Sequence, residues 1–442
     1  MKTKRYEEKK REIRGKVVVG VDPGKDYHQF AVLDEYGDQI GKSFSVPVSY
    51  EGYEDKLWQR LGRITGECGT AEVVFAIENA CNLWKTLAGY MTVKGYQVVL
   101  VSPLTTRCSR PLMSHDFSKT DPKDAFLVAR NAQQGHYNRY RLNSSRIESL
   151  HQLSISYSKL LKDRVKNIQR LRSFMDNVFP EYMKIFPDIS VDSSLYLLGR
   201  YFLPHHFLKM ETGKELLAIK RISQGNYGKE KLTQLKDQAK ESIGLQEPVE
   251  ETSQRLILDS WIESIRLIKD RMKVIEKEMV RLASESESFE LLISLKGVSD
   301  LSAARLIAEC RDFEGVSHYG QIEKFAGLNV RVSDSGRSKG ARHINGIGNK
   351  RLNHVLNQMA EQTVRYIPEV GNKYMRRQLK KPSYRKNIIA SIPQLLKLIT
   401  ALLRDSRPYE FKEDKLKEMA ILKEQYDELR KKRRWSTMKF AA

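Results

Sequence analysis

The chain is poor in cysteine and short of acidic residues, and it shows no long apolar run. Four cysteines in 442 residues, Cys68, Cys81, Cys108 and Cys310, lie far apart with no C-x-x-C pair, and none of the nine histidines falls at zinc-ligand spacing from them. Neither a disulfide framework nor a cysteine-based zinc site is therefore expected. The opening stretch MKTKRYEEKKREIRGK is basic but lacks an apolar h-region, which argues against a secretory signal. No stretch reads as apolar over the length of a spanning helix, so no membrane partner is expected and the setting is read as reducing and cytoplasmic. Against only 55 Asp and Glu stand 77 Lys and Arg, for a formal net charge of +22. That excess is larger than solubility requires and points to a polyanion, nucleic acid rather than membrane, because the basic residues are spread along the whole chain. Charge of this kind names a partner and leaves the reaction open.

The length allows two or three domains. Residues 1–15 read as a basic arm, either a solvated tail or a nucleic-acid contact. From 16 to 142, strand signals (KVVVGVD, HQFAVLD, QIGKSFSV, AEVVFAIEN, YQVVLVSP) alternate with helical stretches near Tyr53–Ile64 and Leu83–Val93. The expected fold is a mixed α/β sheet whose first strands are antiparallel and whose later strands have helical crossovers. A region 143–286 follows with two long helices. The first opens on a capping box, Ser145 with Glu148, and its 3,4 spacing is interrupted at Ser154 and Arg164. The second carries Leu258, Trp261, Ile265, Ile268, Met272, Ile275, Met279 and Leu282 as an unbroken coiled-coil seam. Between them, about 181–250, the pattern is irregular and fits either an inserted helical subdomain or a loop-rich spacer. Residues 287–408 read as an all-α domain. It begins with LLISLKGVSDLSAARLIAEC, similar to a helix-hairpin-helix turn with Ser299 where a second glycine is usual. The charged stretch 409–442 reads as a helical tail, solvated or packed.

The chemistry-bearing residues lie in two places. In SKTDPKDA, Asp121 suits an N-cap with Pro122 at the first helical position and Asp124 at the third. The same spacing puts both carboxylates on one helix face, roughly 5–6 Å apart at Cβ. Asp22 and Glu78 each end an apolar strand, where ligands of open sheets bind. Singly, each acid reads as a turn or cap residue. Jointly, a strand-end Asp, a strand-end Glu and an i, i+3 Asp pair form a set suited to hard cations such as Mg²⁺ and to phosphate chemistry. The second place is SDSGRSKG, with Ser333, Ser335 and Ser338 among Arg331, Arg337, Lys339 and Arg342. From its residues alone it reads as a flexible basic turn, and a serine there needs its alkoxide stabilised to act as a nucleophile.

In order and separation, GVDPGKDYHQFAVLD, VVFAIEN, SKTDPKDA and AGLNVRVSDSGRSKGARHINGIGNKRLNHVL resemble the signatures of insertion-sequence-110 family transposases, also known as DEDD transposases or bridge-RNA-guided recombinases. The resemblance implies a RuvC-like, RNase H-type first domain with Asp22, Glu78, Asp121 and Asp124 as its Mg²⁺-binding acidic tetrad. It also implies a catalytic serine that precedes glycine, which selects Ser335 over Ser338. It further implies target and donor DNA, a guide non-coding RNA, and a prokaryotic, nucleoid-associated homo-oligomer, dimer or tetramer, with composite sites drawn from different protomers. Lys25, Lys119, Lys123, Arg331, Arg337, Lys339 and Arg342 are the candidate nucleic-acid contacts. This chain departs from the family pattern at NAC 79–81, where ATG is usual, and at Val330, Gly346 and Asn353. A metal-dependent junction nuclease using water, and a non-catalytic nucleic-acid scaffold, are the alternative functions.

Overall fold

The structure, a computed structural model, describes residues 2–65, 72–114, 118–244, 250–331, 334–335, 338–339 and 343–439. It forms two compact units, Met1–Asn143 and Ser144–Ala442.

The first unit is built on six strands: β1 Val17–Pro23, β2 Tyr27–Leu33, β3 Phe44–Pro47, β4 Val73–Glu78, β5 Gln97–Val101 and β6 Asn138–Arg139, in the order β3-β2-β1-β4-β5-β6. The β1–β2 and β2–β3 pairs are antiparallel, β1–β4 and β4–β5 parallel. Its helices are α1 Lys2–Ile13, α2 Leu57–Thr65 (entered through a π-helical turn at Gly52–Lys56), α3 Lys85–Val93, α4 Pro103–Ser109, α5 Pro111–Ser114 and α6 Asp121–Gln133. Central strands covered on both faces must be apolar at every position rather than at alternate ones. On one face Val19, Val21, Phe75 and Ile77 pack with Leu57, Leu87 and Met91. On the other, Val18, Val74 and Val99 pack with Val128, Ala129 and Ala132 of α6. The basic arm expected at 1–15 is instead a docked helix over most of its length. Ile13 is buried, Glu12 pairs with Arg139 at 2.8 Å, and the Tyr137 hydroxyl donates to the Lys9 carbonyl at 3.0 Å.

The second unit begins with α7 Ser145–Val178, which packs against α13 Glu251–Ser284. The cap of α7 sits one residue earlier than the spacing predicts: Ser144 accepts the Ile147 amide, and Glu148 instead bonds Gln152 and Arg311. The irregular segment between the long helices resolves into α8 Tyr182–Ile185, α9 Asp192–Leu198, α10 Pro204–Lys209, α11 Thr212–Ile222 and α12 Lys229–Lys240. These close a core of their own around Phe179, Tyr182, Phe186, Phe207 and Leu235, together with Leu171, Met175, Leu258 and Ile265 from the ends of α7 and α13. The other ends of the long helices, at Leu150, Tyr157, Met272 and Met279, share a second core with the C-terminal helices.

Those helices are α14 Glu287–Ile293, α15 Asp300–Cys310, α16 Tyr319–Phe325, α17 Lys350–Thr363, α18 Pro368–Lys380, α19 Tyr384–Asp405 and α20 Glu413–Lys439, with short strands β7 Val330–Arg331, β8 Asp334–Ser335, β9 Ser338–Lys339 and β10 His343–Ile344. The hairpin-like turn passes through Gly297 (φ +99°), and Ser299 caps α15. Contrary to the sequence expectation, α19 has the length and apolar content to cross a membrane, but Ile388, Ile392, Leu395, Leu396 and Ile399 are spent in the core of this unit. Of the C-terminal stretch, Met419, Leu422 and Tyr426 pack on that core, so α20 is a packed arm there. A mixed α/β sheet followed by paired long helices and an all-α region is the fold class expected from sequence.

Among the described residues, His205, His206 and Glu251 bring three ligand-type atoms within 4.8 Å of one another. The Leu203 amide lies 3.4 Å from His206 Nδ1, which puts the ring proton on Nε2, aimed at Glu251 at 3.3 Å. That tautomer is a neutral imidazole donating to Glu251, a hydrogen-bonded clasp between α10 and α13, and it leaves neither ring nitrogen of His206 free for a metal.

Candidate active site

The parallel register sets Val21 opposite Ile77, so the next residues, Asp22 and Glu78, emerge side by side at the C-terminal ends of neighbouring strands. Helix α6 then packs closely across β1. A Cβ on Gly20 would lie 2.1 Å from the Ala125 carbonyl oxygen and 2.7 Å from the Ala129 nitrogen, so only glycine lets the helix seat here. The N-terminal turn of α6 carries the other two acids. Thr120 holds the N-cap position, with its carbonyl accepting the Asp124 amide at 2.9 Å, and Asp121 and Pro122 are the first two helical residues. Asp121 is therefore not the cap that the spacing predicts. It stays exposed, while Asp124, one turn on, is buried.

Glu78, Asp121 and Asp124 all lie within electrostatic reach of Asp22. The Asp22 carboxyl is pushed up to about 6 by burial first, then by the charges of Glu78, Asp124 and Asp121, with Lys119 opposing. Glu78 is raised as well. Burial is again the main cause and Asp124 adds to it, while the neighbouring Thr106 hydroxyl, Lys119 and Arg110 pull it back. That hydroxyl is buried beside Glu78 without completing a hydrogen bond of good geometry. Arg110, between α4 and α5, grips Asp124 with Nε and Nη2 each 2.8 Å from one carboxylate oxygen. The fork uses one lone pair on each oxygen and leaves the other. A partly buried set of oxygen donors in which Asp22 and Glu78 are raised by burial and acidic neighbours fits a divalent cation of the Mg²⁺ type. Asp22, Glu78, Asp121 and Asp124 are the residues that would hold it.

Of the basic candidates in this unit, Lys119 and Lys25 are exposed, and Lys123 reaches the Ser118 hydroxyl at 3.1 Å. The departure at 79–81 has a backbone consequence. Cys81 adopts φ +51°, a region that glycine enters without strain.

In the second unit, β7 pairs with β10 through Arg331 with His343 and Val330 with Ile344, and β8 pairs with β9 through Asp334 with Lys339 and Ser335 with Ser338. Ser335 and Ser338 thus flank positions 336 and 337 on a hairpin. Only the backbone is described at Ser335, Ser338 and Lys339. Ser333, Arg337 and Arg342 lie outside the described residues. Arg331 is exposed.

The start of α17, where the segment carrying this hairpin ends, is held by a hub that sequence reasoning missed. Glu309, whose side chain is fully buried, accepts from Ser154 Oγ at 2.8 Å, Asn349 Nδ2 at 2.6 Å, and Arg351 Nε and Nη2 at 2.8 and 3.0 Å. Asn349 at the same time caps α17 through the Arg351 and Leu352 amides. Ser154 is the polar break in the first seam. Such a break is the one sequence signal that pointed to the hub.

Comparison with known proteins agrees with both halves of the chain. A DEDD transposase profile of the IS110 type, described as "Transposase", matches residues 19–180, and one described as "Transposase IS116/IS110/IS902 family" matches residues 289–378. The insertion element IS116 uncharacterized 44.8 kDa protein of Streptomyces clavuligerus is 22% identical over 399 residues, 89% of this chain and 96% of that protein. The insertion element IS110 uncharacterized 43.6 kDa protein of Streptomyces coelicolor is 20% identical over 397 residues, 89% and 95% of the two chains. A DEDD transposase usually uses a divalent metal ion. The chain belongs to the IS110 family of transposases, enzymes that cut and recombine the DNA of a mobile element.

Proposed function

We propose that this transposase is an RNA-guided DNA recombinase in which Asp22, Glu78, Asp121 and Asp124 hold Mg²⁺ and Ser335 is the nucleophile. The observation that supports the acidic half is the convergence of strand-end and helix-start acids, with Asp22 and Glu78 raised by burial and then by the acids beside them, an arrangement that is costly unless a cation occupies it. When bound, such an ion supplies positive charge to the scissile phosphate and its leaving oxygen. Asp22 and Glu78 then orient from the sheet edge, Asp121 and Asp124 from the helix, and Arg110 keeps Asp124 from turning away. Lys119, exposed beside the acids, meets the incoming phosphate backbone.

Ser335 Oγ forms a bond to phosphorus as the bond to the 3′ oxygen of the cut strand breaks, and the serine proton passes to that oxygen. The result is a 5′ phosphoserine and a free 3′ hydroxyl. Attack by a partner strand's 3′ hydroxyl reverses the chemistry and frees the serine. Arg331, Arg337, Lys339 and Arg342, close to the serine in sequence, carry the charge such an oxyanion needs. Target and donor DNA are chosen by a guide non-coding RNA, and protomers of a homo-oligomer in the prokaryotic cytoplasm share the work of tetrad and serine.

The test is a cleavage assay on DNA carrying the element's ends, with covalent adducts resolved on denaturing gels. Ser335→Ala is expected to abolish adducts and strand exchange. If it keeps cutting with Mg²⁺, the enzyme is a hydrolase using water. If Asp121→Asn leaves biological activity unchanged, the chain is a binding scaffold. Sequencing RNA that survives purification tests the guide.

A further inference from the structure

Where the insertion joins the long helices, α7 and α13 leave an open groove of about 520 Å³, within the size range of small-ligand clefts. Two half-buried rings line it, Phe174 and Trp261, edge to face with centroids 5.9 Å apart. The 3,4 spacing assigns Trp261 to the α13 seam, but the buried position is taken by Ile262 and the indole stays at the margin. Among the described residues nothing accepts from the Trp261 ring nitrogen. The walls are cationic and amide-bearing: Lys166, Gln169, Arg170 and Asn177 all point out from α7. Lys166 makes one loose ion pair, 3.7 Å to Asp163, and Arg170 has no partner among the described residues. The helix segment leading in, KLLKDRVKNIQRLRSF (159–174), carries six Lys and Arg and a single acid, Asp163.

Aromatic rings set among exposed cations with little counter-charge are the chemistry of a stacking platform for unpaired bases. The rings accept the base, the cations its phosphates, and the amides and indole N–H its polar edge. We infer that this groove docks an unpaired base of a single-stranded nucleic acid against Trp261 and Phe174, with Lys166 and Arg170 on the adjoining phosphates. The inference rests on the nucleic-acid reading above and assigns it a surface built from residues outside the tetrad and the serine loop. A second copy of the chain is the disfavoured occupant, because a two-fold contact through this face would set the same cationic stretch of α7 against itself.

The experiment uses the full chain freed of nucleic acid, with fluorescence anisotropy on fluorescein-labelled oligouridylate and oligodeoxythymidylate. Trp261→Leu is expected to weaken binding about tenfold, the loss of one stacked base, and Trp261→Phe to retain most of it. Arg170→Gln is expected to lower the slope of log affinity against log salt by about 0.7, one phosphate contact on a single strand. Circular dichroism and melting temperature confirm that each variant is folded. A larger loss on the RNA probe assigns the groove to RNA, and a larger loss on DNA to a displaced strand. Either supports the inference. Wild type that binds with Trp261→Leu unchanged overturns the inference alone, as does a variant that alters sedimentation but not oligonucleotide affinity, which would seat a second copy there. Wild type that binds no single strand overturns it together with the nucleic-acid reading.

Discussion

Arg110 clasps Asp124 by both carboxylate oxygens at 2.8 Å, with the acid side chain 2% exposed and the guanidinium side chain 15% exposed. Within the acidic cluster it is the one cation in direct contact with a ligand-type carboxylate among the described residues. Arg110→Ala leaves Asp124 buried and unpaired beside Glu78 and Asp22. A loss of about 3 kcal/mol is expected, as when one partner of a buried pair is deleted. Part of it should return on adding Mg²⁺, because the ion supplies the missing charge. Denaturant melts with EDTA and with Mg²⁺ measure both. Equal losses under the two conditions would separate Arg110 from the cation site.

Asp22 ties pH to the same cluster. Its folded pKa, about 6, lies above its ordinary value of 3.8. The fold therefore holds this proton more tightly than the unfolded chain does. The stability this contributes is complete below 3.8 and is lost as pH rises through about 6. Glu78, also raised, acts in the same sense. In EDTA, Asp22→Asn is expected to gain on wild type in melting temperature as pH climbs through this window, and Mg²⁺ to remove the gain by stabilising wild type only. A difference flat in pH would refute the coupling.

Gly20 tests how the site is assembled. A methyl group there would sit 2.1 Å from the Ala125 carbonyl oxygen, a backbone atom that cannot swing aside. Gly20→Ala should push α6 off β1 and cost about 3 kcal/mol, the upper range for overpacking. The stabilisation by Mg²⁺ should vanish with it, because Asp121 and Asp124 ride on that helix. Retained Mg²⁺ stabilisation in a folded Gly20→Ala protein would place the cation elsewhere.

Cys81 illustrates a departure from the family pattern that the structure makes intelligible. At φ +51° a side chain crowds the backbone, and Cys81→Gly is expected to stabilise the first unit by about 1 kcal/mol. An unchanged melting temperature would show that the surroundings already absorb this strain.

Much of this was legible in the sequence because the signals are local. Apolar runs at every position marked the buried parallel strands, and the strand-end acids follow from where those runs stop. The i, i+3 aspartates showed their shared face without a structure. What was not legible depends on distant pairing. Arg110 and Thr106 lie on α4 and the turn after it, where nothing in the spacing connects them to Asp124 or Glu78. Helices α8–α10 are four to seven residues long, too few turns for a hydrophobic period to repeat, and α11 and α12, at 11 and 12 residues, only just reach the length at which one shows. Trp261 fitted the seam by spacing, and only packing shows Ile262 in its place.

The break at Ser154 leads to the last test. Its hydroxyl, Asn349 and Arg351 converge on Glu309. Burial alone would raise this carboxyl, but the hydrogen bonds from Arg351, Asn349 and Ser154 outweigh it and hold the pKa below 4.5. Here the sign is opposite to that of Asp22. The stabilisation is present above the unfolded value and is lost as pH falls through the folded one. Glu309→Gln keeps the shape but removes the charge facing Arg351, so its deficit in melting temperature should be largest near neutral pH and shrink below 4.5. Asn349 also closes the base of the serine hairpin, where its amide donates to the Phe325 carbonyl at 2.7 Å and the Gly346 amide to Gly327 at 3.0 Å. Loosening the hub should speed hydrogen exchange at those two amides. Strand exchange should fall further than the melting temperature accounts for, because the hairpin that carries Ser335 would have lost its footing. Unchanged exchange at Asn349 and Gly346 would mean that the backbone bonds hold the hairpin base without the carboxylate.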